Sequence, residues 1–135
     1  ISIPDGSEMR YIDRSESSWP LRLQLPVGTR VPLHCTSSGK LYLSYLSETR
    51  CNLLIRKLPL EASTYNTFST VESLKLELTR IRKEKVGTDN EEFLEGMVCV
   101  AVPILDQRER LCATFSFYAP SSRMNLDQAL DTSAV

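Results

Sequence analysis

The sequence predicts an α+β domain, an antiparallel sheet flanked by helices, and three features point there. Residues 21–25 and 111–119 alternate apolar and polar side chains, the period of a strand with one buried face. Residues 97–105 form an apolar run rich in β-branched side chains, too short to cross a bilayer and suited to a strand covered on both faces. Between these strand signals lie three stretches with helix caps and helical spacing.

Taken in order, Pro4-Asp5-Gly6 has turn chemistry, and residues 8–14 follow as a strand carrying Met9 and Tyr11. In residues 21–25 three leucines point inward until Pro26 and Gly28 end the strand. Thr36, Ser37 and Ser38 are three N-cap candidates, so a helix starts near Ser38 and buries Leu41, Leu43, Tyr45 and Leu46. Ser47 opens a second helix that Pro59 terminates, and residues 60–68 are polar and aperiodic, a loop. Thr70 caps a longer helix in which Val71, Leu74, Leu78 and Ile81 recur at three- and four-residue spacing. Glu77 and Arg80 fall on its outer surface as a solvated ion pair. After the polar loop 106–110, residues 111–119 face residues 97–105 as a hairpin partner. Leu111, Ala113, Phe115 and Phe117 lie on one parity, and Cys112, Thr114, Ser116 and Tyr118 on the other.

With 135 residues, 41% of them hydrophobic, the chain can bury one core without metal or disulfide, and it shows no repeat or flexible linker. One domain over residues 1–135 is expected. Ile1 in place of Met and a helix that has only begun at residues 126–130 suggest a fragment trimmed at both ends. Sixteen basic against seventeen acidic side chains argue against a domain that itself neutralises DNA phosphates. No signal peptide or membrane span is found, so a cytoplasmic protein without a membrane partner is expected. Cys35, Cys51, Cys99 and Cys112 form no Cys-x-x-Cys pair and are expected to be reduced.

Candidate chemistry is concentrated in three places. A helix N-terminus near Ser38 offers free N–H groups, a positive dipole end and hydroxyls to a carboxylate; the plainer alternative is a simple N-cap. Asp89-Asn90-Glu91-Glu92 could accept from a ligand hydroxyl or hold a metal, or be a solvated loop. Cys35, beside His34 and ahead of a helix N-terminus that would lower a thiol pKa, is a possible nucleophile; Cys35, Asp89 and Cys99 are a possible zinc set. No phosphate-binding Gly-rich loop, Gly-x-Ser-x-Gly or His-Glu-x-x-His occurs. Ser, Asp, Cys and Tyr groups around an apolar floor suit holding a small polar molecule better than transforming it, with no cofactor implied.

Residues 28–40, Gly-Thr-Arg-Val-Pro-Leu-His-Cys-Thr-Ser-Ser-Gly-Lys, resemble the G-x-R-x-P-L-H-x-T-x-x-G-K segment of the effector-binding domain of IclR-type bacterial transcriptional regulators. Residues 89–92 followed by 96–104 resemble that family's D-x-E-E and G-x-x-C-I-A-x-P-V stretches, and residues 111–120 with Arg123 resemble its S-x-S-x-P-x-x-R strand. The resemblance implies a GAF-like (profilin-like) sheet of about six strands with a small-molecule pocket at one side. Carried over, the ligand-binding residues are Ser37, Ser38, Asp89, Cys99, Ser116 and Tyr118, with Met97 and Val31 as apolar walls. It further implies a small organic acid effector and no enzyme activity. Operator DNA would be bound only through a winged helix-turn-helix missing from this chain, in a homodimer or homotetramer. Ser37-Ser38, Tyr118 and the lead-in Lys85-Val86-Gly87-Thr88 depart from the family pattern and bear on which effector fits. The pocket requires Cys99 to share a face with Ser116 and Tyr118, so paired residues of the hairpin must sum to an odd number. The alternatives are a thiol-dependent redox enzyme using Cys35, Cys99 and Cys112, and a zinc-dependent sensor.

Overall fold

The long hairpin is the middle of the sheet. In the computed structural model, which describes residues 1–14 and 26–133, the elements are β1 (Ser2–Asp5), β2 (Glu8–Tyr11), β3 (Arg30–Pro32), α1 (Ser37–Tyr45), α2 (Glu48–Lys57), α3 (Val71–Glu84), β4 (Gly87–Asn90), β5 (Met97–Leu105), β6 (Leu111–Pro120) and α4 (Leu126–Ser133). The strand expected at residues 21–25 lies outside the described residues. The strands form one sheet in the order β3-β2-β1-β6-β5-β4, with every neighbouring pair antiparallel. The α+β class and the six-stranded sheet agree with the expectation. Among the described residues no helix is long and apolar enough to cross a membrane.

Register follows the side-chain chemistry. Cys99 lies opposite Tyr118, Val100 opposite Phe117 and Ala101 opposite Ser116, the odd-sum pairing. Cys99, Ser116 and Tyr118 therefore share the face that α1 covers, and Val98, Val100 and Phe117 take the other, where Ala129 of α4 packs. A second cluster, Met9, Tyr11, Val31, Leu33, Leu43, Cys51, Ile55, Leu74 and Leu78, fills the space between the sheet and the helices. Covering is incomplete at the far end of the hairpin: Ile104, Leu105 and Phe115 are exposed, so β5 is enclosed on both faces only in its first half.

Helix α1 is enclosed between the sheet and α3, which is why Ser37 through Leu41, Leu43 and Ser44 are all buried. Its cap is Thr36, whose Oγ1 accepts from the Gly39 N–H at 3.1 Å and donates to the Pro32 carbonyl at 2.6 Å. Ser47 caps α2 as expected, and Thr70 caps α3 with a reciprocal capping box to Ser73.

Two expectations need correction. Glu77 does pair with Arg80, but it is buried beneath α1 rather than solvated, because a buried lysine draws it inward. The acidic stretch 89–92 is not wholly a loop: Asp89 and Asn90 belong to β4, a strand with no large apolar side chain, held by its pairing with β5. β1 and β3 likewise escaped the periodicity, being four and three residues long.

Candidate functional site

Two glycines seat the first turn of α1 on the sheet. A Cβ at Gly87 would fall 2.2 Å from the Ser37 carbonyl oxygen, and one at Gly39 would fall 2.5 Å from Leu33 Cα, so only glycine permits either approach. With the helix so placed, Ser37 Oγ and Cys99 Sγ share a hydrogen bond of 2.8 Å. Asp89, Cys99 and Tyr118 form one cross-strand row over β4, β5 and β6, and the Tyr118 hydroxyl meets the Tyr11 hydroxyl of β2 in a short hydrogen bond. Ser116 sits one row along, opposite Ala101, on the same face of the sheet as Cys99 and Tyr118. Ser38 follows Ser37 and is buried, and its hydroxyl has no hydrogen-bond partner.

The remaining carried-over residues are arranged around this row. Met97 is half-buried at the start of β5, on the face of Cys99. Val31 is fully buried opposite Met9, in the cluster against which Tyr118 also packs. The structure thus joins Ser37, Asp89, Cys99 and Tyr118 directly, sets Ser116 on the same face one row along, and places Val31 in the neighbouring core. A separate groove of about 260 Å³ runs between Pro32, Leu33 and His34 on one side and Leu58, Pro59, Glu61 and Ser63 on the other. It contains none of these residues.

Burial sets the electrostatics. Asp89 is 2% exposed, and the loss of hydration raises its carboxyl to about 7; the Glu92 N–H, donating to Oδ1 at 2.7 Å, and Lys40 pull it down, while the Glu92 carboxylate pushes it up. Burial likewise raises the Cys99 thiol and the Tyr11 and Tyr118 phenols, keeping all three neutral. Cys35 does not gain from the helix N-terminus: burial pushes it up to about 12, and His34 Nε2 is engaged with the Glu61 carbonyl at 2.7 Å. A nucleophilic Cys35–His34 pair is therefore corrected to a buried, protonated thiol beside a structural histidine. All four cysteines are free, with Cys112 exposed and the other three buried, so no disulfide joins the proposed redox partners. Among the described residues no three His, Cys, Asp or Glu side chains converge to hold a metal, so Cys35, Asp89 and Cys99 are not assembled as a zinc set.

One cluster escaped the sequence reading. Lys40, wholly buried, has Nζ 2.6 Å from Glu77 Oε2 and 2.6 Å from Glu92 Oε1, and lies over the Phe68 ring at 4.9 Å. The Glu77 contact is a hydrogen bond, whereas the Glu92 contact meets the distance of an ion pair. Its one signal in the sequence was a lysine set between buried positions, Gly39 and Leu41, near the start of a helix.

Comparison with known proteins bears on this arrangement. The family model described as "Bacterial transcriptional regulator IclR C-terminal" matches residues 1–134. The chain is 42% identical over 130 residues to the probable transcriptional regulator SauR of Cupriavidus necator, covering 96% of this chain and 52% of that protein. It is 32% identical to the acetate operon repressor of Salmonella typhimurium, covering 100% of this chain and 50% of that protein. It therefore spans about half the length of these curated relatives. Its fold is similar to the crystal structure of the Thermotoga maritima IclR, with a TM-score of 0.91 and 31% identity over 98% of this chain and 54% of that one.

Proposed function

Because the chain belongs to the IclR family of bacterial transcriptional regulators, as its C-terminal domain, we propose that it is a sensory domain binding a small organic acid. Its relatives are transcriptional regulators rather than enzymes. The observation that carries the reading is the buried Ser38 hydroxyl without a partner, in the first turn of a helix whose neighbouring residue Ser37 touches the Asp89–Cys99–Tyr118 row. A buried hydroxyl left unpaired costs about 1–3 kcal/mol, a cost that a ligand oxygen would remove. The ligand carboxylate lies on the N–H groups of Ser37 and Ser38, favoured by the helix dipole. Its polar tail meets Asp89, Cys99, Ser116 and Tyr118, with Met97 and Val31 as apolar walls.

In the full-length cytoplasmic protein, a homodimer or homotetramer, ligand binding shifts the balance between two arrangements of the DNA-reading heads, which requires unequal affinity for the two. Operator DNA is held by an N-terminal domain outside this chain. A thermal-shift screen of short aliphatic and aromatic carboxylates tests the proposal. At least one acid is expected to raise the melting temperature of the wild type, with the shift diminished in Ser38→Ala and lost in Asp89→Ala. Absence of any stabilising acid would remove the ligand class.

A further inference from the structure

Charged side chains are packed in series behind the site. Arg80 Nε donates to Glu77 Oε1 at 2.8 Å, Lys40 Nζ stands 2.6 Å from both Glu77 Oε2 and Glu92 Oε1, and Glu92 Oε2 accepts from the Asn90 N–H at 3.0 Å. The side chains of Lys40, Glu77 and Glu92 are 0%, 7% and 4% exposed. Their signs alternate, plus, minus, plus, minus, and at the outer end Arg80 also pairs with the exposed Glu84 at 2.6 Å, so the series has no spare cation to offer. Asp89 is the next group along. It touches the series only through the Glu92 N–H on Oδ1, stands beside a carboxylate already paired, and among the described residues forms no ion pair.

A second negative charge at Asp89 would be buried without a cation of its own, since Lys40 is shared by Glu77 and Glu92. We propose that Asp89 faces the site as a neutral carboxylic acid and acts there as an O–H donor, so that the site takes an anionic carboxylate together with one proton. Oδ1, occupied by the Glu92 N–H, is the carbonyl oxygen of this acid, and the proton resides on Oδ2. The inference rests on the sensory reading for its ligand and on the charge series for its proton.

The surroundings single out Asp89 as the carboxyl without a cation of its own. Facing it are Tyr11 of β2, Cys35 ahead of α1, Lys40 of α1, Glu92 of the following turn, Cys99 of β5 and Tyr118 of β6. Burial holds the phenols and thiols protonated far above neutrality; burial raises Glu92 as well, but Glu92 has Lys40 Nζ at 2.6 Å and the Asn90 N–H at 3.0 Å to oppose it, whereas Asp89 has no cation of its own. Loss of hydration raises Asp89 itself to about 7. An acid anion bound above that pH must bring a proton from solvent, which weakens binding by up to about tenfold per pH unit.

The test is a carbon-13 NMR titration of the whole chain labelled at the aspartate carboxyl carbons, without ligand, with Asp89→Asn identifying the resonance. The Asp89 signal is expected to move with a midpoint near 7. In Glu92→Gln, which removes the neighbouring charge and leaves Lys40 to Glu77, the midpoint is expected to fall by about one unit or more. A wild-type midpoint below about 5, within the ordinary range of aspartates, overturns the inference whether or not an acid binds. Should Glu92→Gln fail to fold, the wild-type titration alone decides. A midpoint near 7 with no stabilising carboxylate would support the neutral donor and overturn the anionic ligand instead.

Discussion

At Gly87 the missing side chain does what no side chain could, because the space of a methyl group is taken by the Ser37 carbonyl and Leu41. Both obstacles belong to α1, and the Ser37 oxygen is backbone that cannot swing aside. Gly87→Ala is therefore expected to cost about 3 kcal/mol and to break the Ser37–Cys99 hydrogen bond by lifting the helix. A lower urea midpoint at unchanged slope would show the loss, and a stability equal to the wild type would refute the close approach. The sequence marked residues 85–88 as unusual but held no hint of this requirement, since the contact joins residues fifty positions apart. The choice among three cap candidates, by contrast, is settled locally, by the path of the chain four residues back: the Thr36 hydroxyl also reaches the Pro32 carbonyl. The shared face of Cys99, Ser116 and Tyr118 was legible because they lie on strands with a fixed parity, so one register brings all three to the same side of the sheet.

Among the elements, those with a long period were legible. α3 shows its apolar stripe and cap, and β5 and β6 show their strand composition, because each exposes one face or runs long enough for a pattern to repeat. β4 was not legible, since its four residues contain no apolar side chain beyond glycine, and its strand state is supplied by pairing with β5. α1 was legible as a helix but not as a helix buried on every side, and there Lys40 matters most. Removing it in Lys40→Met leaves two buried carboxylates facing each other, an expected loss of about 3–5 kcal/mol. The triple variant Lys40→Met, Glu77→Gln, Glu92→Gln carries no such repulsion and is expected to recover most of that loss. Denaturant unfolding of the two proteins decides this, and an undiminished stability in Lys40→Met would mean that the ion pairs hold nothing together.

For the molecule as a whole, the same charges shape how stability depends on pH. The folded-state pKa of Asp89, about 7, lies above its unfolded value of about 3.9, so in that window the folded protein holds a proton that the unfolded chain has released. Stability therefore declines as pH rises through the window, by up to about 1.4 kcal/mol per unit. Glu77 acts in the opposite sense: its arginine and lysine partners outweigh the burial that opposes them, its folded pKa is lowered, and its contribution is lost as pH falls. The comparison of wild type with Asp89→Asn cancels Glu77 and isolates Asp89. The variant is expected to gain on the wild type between pH 4 and 7 and to hold that gain above 7, as read from unfolding free energies; parallel curves would mean an ordinary carboxylate.

The contact between Ser37 and Cys99 has a use of another kind. The sulfur–hydrogen bond of a thiol vibrates in an infrared window that amides and other side chains leave empty, and its frequency follows the strength of its hydrogen bond. Cys99 is wholly buried, free, hydrogen-bonded to Ser37 and paired across the sheet with Tyr118. The domain thus carries a native spectroscopic label at the centre of its polar row, separable from the other three thiols by subtracting the Cys99→Ala spectrum, and sensitive to anything that enters beside it.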